Sequence, residues 1–182
     1  SNGATYFTES KPLKILGNVL RYIFKKQGFL ANPAALVTVF YKARDDAKSP
    51  DAQIHFAPAA SNVDTKGNMM PIEGITVASC GVRPTSRGST HITSSEAAQA
   101  PAIQVNYLQT EYDQHVAITA FKKARNILQQ AAMQPYGNNE LEPGNAVQSD
   151  ADILEYIRNT GDPVHHLAGS CKMGDDAMAV VD

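Results

Sequence analysis

Ala52-Gln53-Ile54-His55-Phe56-Ala57, followed by Pro58, is the stretch on which the fold turns. It reads as a strand that Pro58 ends or pushes to a sheet edge, because proline has no N–H to give to a ladder. Upstream, Ala34-Ala35-Leu36-Val37-Thr38-Val39-Phe40-Tyr41 is rich in β-branched and aromatic residues and reads as another strand, joined to the first by the polar loop Lys42 to Asp51. Downstream, Ser61 to Pro71 is turn-rich and is expected to be a mobile connection, after which Gly74 to Val82 resumes strand character. Pro84 to Ser89 reads as a compact turn, Thr90 to Thr93 as a short strand and Ala102 to Val105 as one more. Links this short favour neighbouring antiparallel strands.

Helical signals lie outside this block. From Ser10, Pro12 suits a first turn, Leu13, Leu16, Leu20 and Ile23 recur at helical spacing, and Lys25, Lys26 and Gly28 suit a C-terminus. Asp113 is expected to cap a long helix whose stripe Ala117, Phe121, Ala124, Leu128 and Ala131 covers the apolar side of the sheet. Ser149-Asp150-Ala151-Asp152 reads as a capping-box variant opening a last helix through Ile153, Leu154 and Ile157 to about Asn159. Strands in the middle with helices at the flanks predict an α+β fold: an antiparallel, mixed-order sheet of about five or six strands covered on one face by helices.

The chain of 182 residues, 43% hydrophobic, is long enough to bury one core, so residues 3–182 are expected to form a single domain. Ser1-Asn2 resembles the remnant of a cleaved tag and is set aside. With 16 Lys and Arg against 18 Asp and Glu, and no basic run longer than Lys25-Lys26 or Lys122-Lys123, nucleic acid is not an expected partner. The apolar runs are far shorter than the roughly 20 residues a membrane span requires. Cys80 and Cys171 stand apart in no metal-ligand spacing, which suggests neither a disulfide scaffold nor a zinc site and fits a reducing cytoplasm.

The glycines never adopt the G-x-G-x-x-G spacing that cradles a dinucleotide, and there is no P-loop, nucleophile elbow or metal-binding histidine pair. What remains is His165-His166-Leu167-Ala168-Gly169-Ser170-Cys171-Lys172-Met173-Gly174. Taken as bare residues, the two histidines are an exposed polar turn, a core imidazole satisfied by a carbonyl, or a proton-handling site, since imidazole titrates near neutral pH.

That stretch resembles the C-terminal signature of the glucose-methanol-choline (GMC) oxidoreductases: a histidine, two variable residues, Gly-Thr or Gly-Ser, commonly Cys, a basic residue, then Met-Gly. His166 and Gly169 fit its first fixed positions. The resemblance runs over nearly the whole chain, through Lys25 to Leu30, Asp51 to Ala59, Val82 to Ser89, Pro101 to Ile103 and Asn106 to Leu108. It looks nearest to the choline dehydrogenase branch.

The resemblance implies an FAD-dependent alcohol dehydrogenase that oxidises a primary alcohol to an aldehyde, with His166 as the catalytic proton acceptor. By position Val164 would line the pocket and His55 would project toward substrate from the sheet. His165 is expected to be a supporting or surface group, and Cys171 and Met173 to pack the loop. The FAD-binding half, which holds the dinucleotide fingerprint, and the His or Asn partner of the catalytic histidine are expected outside these residues, so the isolated chain should be inactive. The implied partners are a small alcohol and the FAD-binding domain of the parent, which would be cytoplasmic or peripheral at the inner face of the membrane. The alternative is a stand-alone ligand-binding or protein-interaction module with the same sheet and no catalysis.

Overall fold

A computed structural model describes residues 5–63, 68–137, 139–166, 169 and 171–182. Ser1 and Asn2, with the expected domain start at Gly3, lie outside the described residues, as do Leu167, Ala168 and Ser170 of the histidine stretch.

The deciding stretch forms β2 (Ala52–Ala57) with the expected boundaries. It is the centre of a three-stranded antiparallel sheet, flanked by β1 (Val37–Tyr41) and β5 (Thr76–Gly81). His55 faces Thr38 of β1 and Ala78 of β5 in register. Side chains alternate between the faces of a strand, so Ala52 and Ile54 point one way and Gln53 and His55 the other. Ala52 and Ile54 are 0% and 3% exposed and mark the core side, whereas Gln53 and His55 are only half-buried.

The segment expected to be a mobile connection is in large part a hairpin: β3 (Ala60–Val63) pairs antiparallel with β4 (Met69–Ile72), and residues 64–67 lie outside the described residues. Pro71 sits opposite Ser61, which a two-stranded ribbon tolerates because each strand has a free edge for the missing N–H. β6 (Ser89–His91) and β7 (Ala102–Gln104) form a second ribbon. The antiparallel α+β class stands, but among the described residues the strands divide into the three-stranded sheet and two ribbons rather than one continuous sheet.

Besides the single turn α1 (Tyr6–Glu9), α2 (Pro12–Lys25) follows the sequence reading at its start and ends at Lys26, whose left-handed backbone (φ 52°) lets its N–H reach the Tyr22 carbonyl at 2.9 Å. Its apolar stripe is exposed. α3 (Glu111–Leu128) is capped by Thr110, not by the expected Asp113: the Thr110 hydroxyl accepts the Asp113 N–H at 3.2 Å. Asp113 is free of that task because its carboxylate is engaged across the fold by Thr85 and Ser86.

Ala124 is buried as expected, but the rest of the buried stripe of α3 is Val116 and Ala120, one position behind the expected Ala117 and Phe121, which stay half-buried, while Ala131 falls in a 3-10 turn at Ala131–Tyr136. The close approach explains the rotation. A methyl placed on Gly81 would lie only 3.4 Å from Val116 Cγ1, and small Ala120 packs with Ala52 and Val116 in one cluster. Tyr112 fixes the same end of the helix by donating its hydroxyl to buried Asp51 at 3.0 Å.

α4 (Asp150–Thr160) begins with the expected box, in which Ser149 Oγ accepts the Asp152 N–H and Asp152 returns the bond to the Ser149 N–H, each at 3.1 Å. It seats fully buried Ile153, and Tyr156 meets Phe121 of α3 edge-on at 6.1 Å. Arg125 of α3 clamps the intervening segment: its guanidinium donates to both Glu140 carboxylate oxygens at 2.8 and 2.6 Å and to the Val147 carbonyl at 3.0 Å.

Candidate active site

Two surfaces carry the residues singled out from sequence. The first is the face of the β1-β2-β5 sheet turned away from α3. Residues paired across antiparallel strands share a face, so Thr38, Phe40, Gln53, His55, Ala78 and Cys80 stand together there. Thr38, Phe40 and Ala78 are exposed, which leaves this face open. His55 Nδ1 lies 3.1 Å from the Thr38 hydroxyl, a contact that fixes the ring across the strand pair. Cys80 Sγ approaches Gln53 Oε1 at 3.9 Å, and burial pushes its thiol pKa up, which disfavours the reactive thiolate.

The second surface is the segment that leaves α4. The Gly161 N–H closes the helix on the Ile157 carbonyl at 2.8 Å with an extended backbone, and the chain then runs out through Asp162 and Pro163. Val164, His165 and His166 are all exposed. His165 has φ 57°, a left-handed conformation uncommon outside glycine that histidine enters more readily than bulky apolar residues. Among the described residues His166 makes no hydrogen bond and no ion pair, and none links His55 to residues 164–166.

Beyond the histidines, Gly169 (φ 102°) and Gly174 (φ 151°) take conformations that side chains avoid. The chain then folds back on itself. Met173 and Val181 form a parallel bridge, closed by Gly174 N–H to Val181 O at 3.1 Å and Val180 N–H to Lys172 O at 3.0 Å. Lys172 pairs with Asp176, and this bond with the Met178 N–H holds the Asp176 carboxyl below the usual range. Met173 is exposed, not packed within the loop as the sequence suggested, because the bridge forms through its backbone. Cys171 is likewise exposed.

Sequence reasoning missed two carboxylates that tie α3 to the first of these surfaces, the β1-β2-β5 sheet and the turn after it. Asp51, at the start of β2, accepts the Ala43 N–H at 2.6 Å as well as the Tyr112 hydroxyl. Asp113 holds the turn after β5 from below. Each looked like a loop or cap residue because its partners are distant in sequence.

The model of the GMC oxidoreductase family matches residues 84–182, more than half of the chain. The chain belongs to the GMC oxidoreductase family. Relatives named oxygen-dependent choline dehydrogenase from Staphylococcus epidermidis and Pseudomonas aeruginosa are 38% and 35% identical, over 90% and 89% of this chain. The chain spans 29% of the length of each of them. A crystal structure of pyridoxine 4-oxidase from Mesorbium loti superposes with a TM-score of 0.68 at 26% identity, covering 82% of this chain and 30% of that one. This GMC chain therefore corresponds to less than a third of those proteins.

FAD is the group the family implies, and the residues present do not fit as its holder. The described residues offer no glycine-rich turn at a helix N-terminus for a pyrophosphate: α3 and α4 begin with Glu111 and with Asp150 and Asp152, whose negative charge would repel one. No group of three or more His, Cys, Asp or Glu side chains among the described residues could hold a metal ion. What this GMC chain displays is an open sheet face with one imidazole and an exposed segment with two more.

Proposed function

We propose that residues 3–182 form the substrate-side unit of a flavin-dependent oxidoreductase that converts a small primary alcohol to an aldehyde, with the FAD-binding half supplied by protein outside these residues. The relatives' name, oxygen-dependent choline dehydrogenase, supports alcohol oxidation as the chemistry. The observation that carries the reading is that His166 is exposed and, among the described residues, makes no hydrogen bond or ion pair. An imidazole packed into the core would be committed to a structural bond, whereas this one is free to receive a proton.

Oxidation of a carbinol removes a hydride from carbon and a proton from oxygen. A flavin bound by the other half would supply the hydride acceptor. This chain's task is the proton: His166 takes it from the alcohol hydroxyl as a general base. Val164, two residues earlier on the same exposed segment, gives the pocket an apolar wall. His55, held by Thr38 on the open sheet face, offers a hydrogen bond to the substrate from another side. His166 follows the extended segment after Gly161 and is exposed, which supports a position where the other half would meet this one.

Replacing His166 with Ala in the enzyme assembled with its FAD-binding half is expected to slow flavin reduction by about 100-fold or more, with flavin content unchanged. A near-normal rate would remove His166 from proton transfer. The 182-residue chain alone, incubated with FAD and desalted, is expected to retain no flavin absorbance; stoichiometric retention would refute the division of labour.

A further inference from the structure

His55 owes its one bond among the described side chains to the register of the sheet. Thr38 of β1 and Ala78 of β5 stand directly opposite it on the open face, and the next row along holds Phe40, Gln53 and Cys80. Cross-strand pairs keep their Cβ atoms about 5 Å apart. A threonine hydroxyl, attached to Cβ itself, therefore reaches the near ring nitrogen of the opposite histidine and not the far one. The contact observed is of that kind, Thr38 Oγ1 to His55 Nδ1 at 3.1 Å. Branching at Cβ restricts the rotamers of Thr38, so its hydroxyl is largely held in place before the bond forms. Ala78 offers no polar side-chain atom, and Gln53 is approached by Cys80 within its own row.

The direction of that bond decides what the ring can do. Thr38 Oγ1 has no other partner among the described residues. If it accepted from a protonated Nδ1, its own hydrogen would lack an acceptor in the protein once substrate had displaced water from the face. By donating to an unprotonated Nδ1, the hydroxyl satisfies both groups in one bond. A neutral imidazole carries a single N–H, so the proton then resides on Nε2. Nε2 makes no hydrogen bond among the described residues and is left as a donor.

We propose that Thr38 is a positioning residue that fixes His55 as the Nε2–H tautomer, so that His55 donates to the hydroxyl oxygen of the substrate and leaves the proton of that hydroxyl to His166. The proposal rests on the alcohol-oxidising role given to this unit and adds to it a division between two imidazoles, one donating and the other accepting.

Long-range proton–nitrogen correlation spectra of the 182-residue chain at alkaline pH read the tautomer without substrate or flavin, with His55→Ala identifying the ring among the five histidines. His55 should show a protonated Nε2 and a bare Nδ1. Thr38→Val, which keeps the branched shape, should shift it toward a mixture of tautomers, and Thr38→Ser should restore the single form. A protonated Nδ1, or a spectrum indifferent to Thr38→Val, would overturn the proposal and leave the role of His166 untouched. In the FAD-containing enzyme, with choline as the probe, Thr38→Val should raise KM by about 2- to 10-fold with kcat changed much less, and Thr38→Ser should not. That rise should vanish in a His55→Ala background. A rise that persists there would mean that Thr38 acts by another route and would overturn the proposal. Failure of the catalytic reading has its own sign, a near-normal rate of flavin reduction in His166→Ala.

Discussion

The Asp113 carboxylate accepts the backbone N–H groups of Thr85 and Ser86, each at 2.8 Å, so the first turn of α3 holds the turn that follows β5. A third bond comes from the Thr85 hydroxyl at 3.0 Å, and Asp113 itself is 7% exposed. Burial works against its charge, yet the bonds from Ser86 and Thr85 prevail and hold the carboxyl below the usual Asp range. Replacing Asp113 with Ala orphans two backbone donors and is expected to destabilise the chain by about 2–4 kcal/mol, read as a lower denaturation midpoint.

The same carboxylate sets a pH dependence. Its folded pKa lies below the unfolded value of about 4, so its contribution is complete above that pH and is lost as pH falls through the folded value. Urea unfolding between about pH 5 and 2 should show this acid loss, and it should be smaller in Asp113→Asn, which starts from a lower stability at neutral pH. An identical slope in both proteins would remove Asp113 as a source.

Among the described glycines, Gly88 leaves the least room for a side chain. A methyl there would lie 2.2 Å from the Gln104 carbonyl oxygen and 2.9 Å from that of Val105, both rigid backbone atoms at the end of β7. Gly88→Ala should therefore force the β6-β7 ribbon apart and cost roughly 1–3 kcal/mol or more. Thermal melting measures it, and an unchanged midpoint would show that the ribbon adjusts freely.

Arg125 and Glu140 form a two-bond ion pair with side chains 13% and 24% exposed, and Phe121 lies under the guanidinium at 4.7 Å. Arg125→Met should keep the packing but strand Glu140 and the Val147 carbonyl, at a cost of about 1.5–3 kcal/mol. Limited proteolysis should then cut the segment between α3 and α4 faster than in the unaltered protein.

His55 and His166 should separate kinetically. His55→Ala in the assembled enzyme should raise KM by about 2- to 10-fold, the worth of one hydrogen bond, with kcat changed much less. A fall in kcat as large as that expected for His166→Ala would instead make His55 part of proton transfer.

Much of this was legible because it is local. Pro58 ended β2 where expected, and Ser149 with Asp152 announced α4 from four residues. The histidine stretch could be matched to its family because its identity lies in fixed short spacings. Other features resisted. The hairpin of β3 and β4 was hidden because Ser61 to Pro71 is rich in turn formers and has no apolar alternation. The cap of α3 was misplaced because Thr110 and Asp113 are both good caps, and only the bonds from Thr85 and Ser86 decide between them.

The sequence by itself determined where the main strands and the helices α2 and α4 run, the family, and the imidazole worth testing, since periodicity, capping and motif spacing act over a few residues. Only the tertiary structure decided which strands share a sheet, which stripe of α3 is buried, that His55 pairs with Thr38 on an open face, and that the leucines of α2 are left uncovered. Those outcomes depend on contacts between residues tens of positions apart, where the closeness of Val116 to Gly81 or the reach of a carboxylate to a distant turn selects among arrangements that the local pattern leaves equal.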